Sequence, residues 1–244
     1  MTYNLAEKTW PMIEEYLKHR KSILMPVGST EQHGPNGLIG IDFLSSWEIA
    51  KKVGENTKTL VAPPLCFGMA QHHMAFPGTM SLTPLTYIQV MTELIQSLYR
   101  HGFREFTVIN GHGGNIPSIN AAFSQVLGDD ETCTFKLVNW WHQPEVQAYE
   151  NEIFGDKNGF HATCGEVSLT MYTHQEAYKE VPKMKFEPTV REYPWPMGPK
   201  QFRQTFTDGR MASDPSLATK EHGEKIFNIA VQAIGQKIGN NTRG

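Results

Sequence analysis

Ser22-Ile-Leu-Met-Pro-Val27 runs directly into Gly28-Ser-Thr-Glu-Gln-His-Gly-Pro35, and this junction decides the fold. Six residues are too few for a stable helix, and the run is too uniformly apolar for a surface element. It reads as a strand covered on both faces, as in a parallel sheet. A turn rich in glycine and polar groups follows at its carboxyl end. Asp42 then precedes Phe43 to Val53, where Leu44, Trp47, Ile49, Ala50 and Val53 form a helical stripe.

The same rhythm repeats downstream. Leu60 to Pro63 is a second short strand, leading into a loop with His72, His73 and Phe76-Pro-Gly-Thr79. Thr83 to His101 has helical spacing, with Gly102 as its C-cap. Phe106 to Ile109 is a third strand, and Gly111 to Asn115 turns into a helix through Leu127. Phe135 to Asn139 is a fourth strand, ending at Trp140-Trp141-His142. Glu166 to Tyr172 and Leu217 to Ile238 read as helices, while Val181 to Pro215 is irregular and rich in proline and aromatics. The alternation predicts an α/β fold with a mostly parallel central sheet. No repeat or linker divides the 244 residues, so residues 1–244 are expected to form one domain.

A net charge of −3 and a pI of 6.4 argue against a nucleic-acid or membrane-surface binder. The three cysteines, Cys66, Cys133 and Cys164, lack metal-type spacing and fit reduced thiols. With no signal-peptide core and no spanning run, the expectation is a cytoplasmic protein.

In open α/β sheets, ligands gather beyond the carboxyl ends of the strands. Glu31 and His33 follow the first strand, His112 the third, and Trp141 and His142 the fourth. Carboxylate oxygens and imidazole nitrogens suit Zn²⁺ or Mn²⁺. Asp42 can bridge two ions through its two oxygens, and such a pair can acidify a shared water and polarise a carbonyl. Each residue alone has a plainer reading: Asp42 as a helix N-cap, His112 as part of a tight glycine turn, Glu31 or His33 as solvated loop residues. Their joint placement favours a metal site. His72 and His73 are left outside the metal set, as hydrogen-bonding or subunit-contact residues. A phosphate cradle at 111–114 lacks the Lys-Ser/Thr of a P-loop, and no G-x-S-x-G elbow supports a serine hydrolase.

These residues resemble the creatininase (creatinine amidohydrolase) family. The matching pieces are 28–35, Asp42, Phe76-Pro-Gly-Thr79, Asn110-Gly-His-Gly-Gly-Asn115 and His161-Ala-Thr-Cys-Gly-Glu-Val-Ser168, with an echo at 214–225. The resemblance implies a three-layer α/β/α sandwich, two divalent ions (Zn, Mn or Fe) and a homohexamer. It also implies hydrolysis of a non-peptide C–N bond in a cyclic or formylated amide. By the resemblance Glu31 binds one ion, His33 and His112 bind the other, Asp42 bridges, and Glu166 completes the site. His161 assists proton transfer with Glu166, and Trp141 covers the substrate. Phe76 and Phe160 are further candidates for the substrate wall, and Gly113 for a backbone contact.

Departures point to a branch other than creatininase itself. Gly114 stands where creatininase has an acidic ligand, so Glu166 is expected to compensate. Lys157 to Phe160 lacks the creatinine-contacting tryptophan and acid, and Asn36 replaces a common histidine. The expected substrate is a small-molecule amide. The alternatives are a maturation peptidase acting on a modified peptide, or a non-catalytic metal-binding relic of the fold.

Overall fold

The computed structural model describes residues 2–129 and 131–239. Four parallel strands, β1 (Ser22–Val27), β2 (Leu60–Val61), β3 (Glu105–Asn110) and β4 (Thr134–Asn139), lie side by side in the order β2-β1-β3-β4. Eight α-helices accompany them among the described residues: α1 (Trp10–His19), α2 (Ile41–Thr57), α3 (Pro84–Arg100), α4 (Ile116–Asp129), α5 (Pro144–Ile153), α6 (Cys164–Thr173), α7 (Pro199–Thr205) and α8 (Lys220–Gly239).

Alternate strand residues face opposite layers, as the two-residue period of a strand requires. Ile23, Met25, Val27, Leu60, Phe106 and Val108 pack with α1, α3 and α4 through Leu17, Met91, Ile95, Ile119 and Phe123. Leu24, Val61, Ile109 and Val138 pack the other way, against Ile49, Val53, Val146, Leu169, Ile226 and Ile234 of α2, α5, α6 and α8. The sheet is thus the middle of three layers, the expected α/β/α arrangement.

Pro26 lies in a strand with neighbours on both sides, where proline is normally excluded. Its carbonyl accepts from Leu65 N, which shows that this residue faces the β2 side. The β1–β2 pairing has already ended at Leu24↔Val61, so the missing N–H removes no bond between the two strands.

Two expectations need adjustment. The second strand stops at Val61 rather than at Pro63. The irregular stretch 181–215 contains α7, and two further helices, α1 and α5, went unread. All three begin with a proline in their first two positions, a start signal the apolar periodicity did not reveal.

Candidate metal and substrate site

Two close approaches assemble the rim. A Cβ on Gly111 would lie 2.0 Å from the Asp42 carbonyl oxygen, so only glycine lets the start of α2 sit on the end of β3. Asp42 consequently enters the first turn of α2 with its side chain over the sheet rim; the N-cap is Gly40, so Asp42 does not cap the helix. Its negative charge is also favoured by the helix dipole there.

The Asn110-Gly-His-Gly-Gly-Asn115 turn is fixed by its two asparagines. Asn110 Oδ1 accepts from His112 N at 3.0 Å, and Asn110 Nδ2 donates to His112 O at 2.7 Å. Asn115 donates to Gly28 O at 2.9 Å and accepts from Met69 N at 2.9 Å, tying the turn to the loops after β1 and β2. Glu166 is held by a capping box at the start of α6. Thr163 N donates to Glu166 Oε1 at 2.5 Å, and Glu166 N donates to Thr163 Oγ1 at 3.2 Å.

The structure brings Glu31, His33, Asp42, His112, His161 and Glu166 together at the carboxyl end of the sheet. His33 Nε2 is 3.1 Å from Asp42 Oδ1 and 3.9 Å from Glu166 Oε1. His112 Nδ1 is 3.1 Å from Asp42 Oδ2 and 3.2 Å from Glu31 Oε1. His161 Nδ1 lies 3.8 Å from Glu31 Oε1. Ligand atoms of Glu31, Asp42 and His112 are mutually close enough to surround one ion, as are those of His33, His161 and Glu166. The two histidines thus approach opposite oxygens of Asp42.

The far nitrogens of these rings are spoken for. His33 Nδ1 meets Glu31 O at 3.1 Å, and His112 Nε2 meets Met69 O at 3.0 Å. Carbonyls only accept, so each ring donates there and turns a lone pair toward the carboxylates. Lone pairs facing carboxylates repel unless a proton or a cation lies between them. Accordingly Glu31 Oε2, His33 Nε2 and Asp42 Oδ2 are buried without a hydrogen-bond partner. Buried polar groups are seldom left so, and this donor set suits a divalent ion.

Without a cation, protons take that place. Burial opposes charging His33, but Asp42, Glu166 and Glu31 hold its pKa up at about 10. His112 is likewise raised, with burial overcome by Glu31 and Asp42. Burial would raise the Asp42 carboxyl, yet His33 and His112 draw it down to about 2. Burial lifts Glu166 to about 7 against the pull of His33. Burial and the neighbouring His33 charge lower His161 to about 3, and burial with the adjacent imidazoles lowers His73 as well.

Beyond these groups opens a cleft of about 830 Å³. Trp141, Gly113 and Phe160 line it, and Phe160 is 59% exposed. Phe76 does not line it. It is buried in a cluster with Met197, Phe202, Phe206 and Met211, with the Arg203 guanidinium 4.1 Å from its ring, so its role there is packing.

The cleft contains residues that sequence reading missed. His73, expected outside the metal set as a hydrogen-bonding residue, is buried with Nε2 3.4 Å from Glu31 Oε1, a partner the sequence did not indicate. Glu150 of α5 lies in the wall, and burial followed by repulsion from Glu166 lifts its carboxyl to about 8. Arg191, Tyr193 and Trp195 arrive from the proline-rich segment, with Trp195 edge-on to His72 at 5.1 Å. The adjacent His-His ahead of Phe-Pro-Gly-Thr was the one local signal available. Nothing local marked Glu150 or Trp195.

Comparison with known proteins agrees with this architecture. A creatinine amidohydrolase from Pseudomonas putida is 27% identical over 251 residues, covering 96% of this chain and 95% of that one. A mycofactocin precursor peptide peptidase from Mycolicibacterium smegmatis is 35% identical over 106 residues, 41% of this chain and 42% of that protein. A solved structure of creatininase with Mn superposes with a TM-score of 0.86 at 24% identity, over 100% of both chains. The family model for creatinine amidohydrolase matches residues 6–238. By that match, which runs through all four strands and every residue of the rim, the chain belongs to the creatininase family.

Proposed function

We propose that this protein is a metal-dependent amidohydrolase, built on one domain, that cleaves a non-peptide C–N bond in a small cyclic amide or formamide. The observation that carries the reading is the set of buried atoms without a hydrogen-bond partner, Glu31 Oε2, His33 Nε2 and Asp42 Oδ2, on residues whose carboxylates and imidazoles converge beside the cleft. Glu31, His112 and Asp42 Oδ2 would hold one divalent ion. His33, Glu166 and Asp42 Oδ1 would hold a second. Zn, Mn and Fe all suit such nitrogen and oxygen donors. When bound, such a pair supplies Lewis acidity, polarising a carbonyl and acidifying water.

The remaining chemistry belongs to side chains. His161, neutral and with Nδ1 turned into the site, accepts a proton and passes it to the leaving nitrogen. Glu166 is the second group suited to carry that proton. General acid help of this kind contributes about 10²–10⁴-fold. Trp141 and Phe160 wall the cleft and shield the reacting bond, and the Gly113 backbone N–H offers a contact to a substrate oxygen. The subunits would assemble as a homo-oligomer, a hexamer by family resemblance.

The volume of the cleft favours a second reading, because about 830 Å³ leaves space beyond a single small ring, near the upper range for ligand pockets. A maturation peptidase acting on a modified peptide would use that space. Metal analysis of protein purified without chelators, with turnover on lactams, hydantoins, formamides and short peptides, tests both. About two ions per chain and metal-dependent release of an amine from a non-peptide amide supports the first reading. Turnover of peptides alone supports the second. Tightly bound metal without turnover on any of these substrates would instead favour a non-catalytic relic.

A further inference from the structure

The Gln32 side chain is buried and meets both His73 and His161, two rings that line the cleft. Its orientation is set by Gly34, whose backbone N–H donates to Gln32 Oε1 at 2.9 Å. Nε2 therefore faces the other way, toward His73 Nδ1 at 2.9 Å, His161 Nε2 at 2.9 Å and Gly209 O at 3.0 Å. An amide NH₂ has two protons for these three atoms. His161 Nε2 also lies 2.8 Å from Gln32 O, a backbone carbonyl that can only accept. Its Nε2 must carry a hydrogen and donate to that carbonyl. The amide protons then go to His73 Nδ1 and Gly209 O, and no other distribution satisfies every group.

We propose that Gln32 is a positioning residue that sets the two stacked rings in the same Nε2–H tautomer but in opposite orientations, one turning its N–H and the other its lone pair toward Glu31. His73 has a bare Nδ1 and presents Nε2–H to Glu31 Oε1, 3.4 Å away. His161 has a protonated Nε2 and presents a bare Nδ1 to the same oxygen, 3.8 Å away. Ligand atoms of Glu31, His73 and His161 are close enough to surround an ion, but a nitrogen bearing hydrogen has no lone pair to give. His73 is thus a donor that steadies the Glu31 carboxylate. His161 is the ring with a free pair for proton transfer. His33 and His112 are anchored on backbone carbonyls as His161 is. His73 differs because its anchor is a donor.

This assignment rests on the reading of the cleft as an active site, but its test does not. Long-range ¹H–¹⁵N correlation spectra of the full chain, ¹⁵N-labelled at histidine and freed of metal by chelation, report which ring nitrogen carries hydrogen. The expected result is Nε2–H and bare Nδ1 for both rings, assigned with His73→Gln and His161→Gln. Nδ1–H on either ring overturns the proposal. In Gln32→Glu the carboxylate can only accept, so His73 is expected to move its hydrogen to Nδ1 as the major form while His161 keeps Nε2–H. A folded Gln32→Glu protein with an unchanged His73 tautomer also overturns it. Should that variant not fold, the wild-type spectrum alone decides. The expected tautomers in a protein that hydrolyses no amide would remove the hydrolase reading and leave the Gln32 assignment standing.

Discussion

The two ends of the parallel sheet are both hollow, yet only one is built as a site. At the amino end a cavity of about 580 Å³ lies over the starts of β1, β3 and β4, bordered by Arg20, Lys58, Glu105 and Lys136. Its charges have ordinary outlets: Arg20 donates to Thr57 O at 2.7 Å and Lys136 to Lys237 O at 3.2 Å. No buried unpartnered side-chain atom lines it among the described residues. At the carboxyl end, carboxylates and imidazoles are buried with lone pairs turned toward one another. The amino end is smaller and bordered mainly by cations, the carboxyl end larger and mainly acidic, yet neither difference alone makes a site. What separates them is unsatisfied buried polarity, which costs stability and persists where a bound group repays it.

The largest effect should come from Asp42→Asn, which removes the charge facing both His33 and His112. Metal content is expected to fall from about two ions to less than one, and turnover on any substrate found to drop by roughly 10³-fold or more. Full metal occupancy in this variant, read by elemental analysis, would break the contrast between the two ends.

Gly114→Glu sharpens it from another side. A Cβ at this position would lie 2.4 Å from His112 Nε2 and 2.5 Å from Met69 O, the two atoms of the bond that aims His112. Returning an acid to the place where creatininase has one is therefore expected to weaken metal binding by about 10–100-fold. The overpacking should also cost about 1–3 kcal/mol in denaturant unfolding. Tighter binding in Gly114→Glu would show that the turn adapts and that Glu166 is not the compensating group.

The pH dependence follows from the raised imidazoles. In the metal-free protein His33 stays protonated up to about pH 10 and His112 is raised in the same direction. An ion needs their lone pairs, so binding displaces protons and affinity rises with pH, levelling off above about 10. Below about 7, Glu166 adds to the protons displaced. Calorimetry in buffers of differing ionisation heat measures this release directly. An unchanged binding heat across buffers would contradict the protonation pattern.

The smallest effect belongs to the amino end. Arg20→Ala is expected to cost about 0.5–1.5 kcal/mol of stability through its lost hydrogen bond, with metal content and turnover unchanged. A change in either at this distance from the carboxyl rim would mean that the two hollows communicate.

Much of this arrangement was readable in the chain because its signals are local. The uniformly apolar run 22–27 and its kin at 106–109 and 135–139 announced buried parallel strands, and the turns after the first two carried Glu31, His33 and His112. Glu166 was legible through the resemblance of the 161–168 segment, while the capping box with Thr163 that orients its carboxylate came from the structure. His73 was not legible. Its neighbours in sequence say nothing of Glu31, which lies some forty residues upstream and 3.4 Å away. Phe76 looked like a substrate wall because it sits in a motif near the rim, but the α7 aromatics that bury it come from the segment that lacked periodicity.

The amino-acid order by itself determined the layered α/β scaffold and the stock of oxygen and nitrogen donors beyond its strands. Those properties depend on patterns a few residues long. Only the tertiary structure decided which oxygen of Asp42 meets which imidazole, that His73 enters the cleft while Phe76 leaves it, and which ring nitrogens point outward. Coordination and hydrogen bonding act over about 3 Å, and contacts between distant segments at that range are fixed by how the layers close.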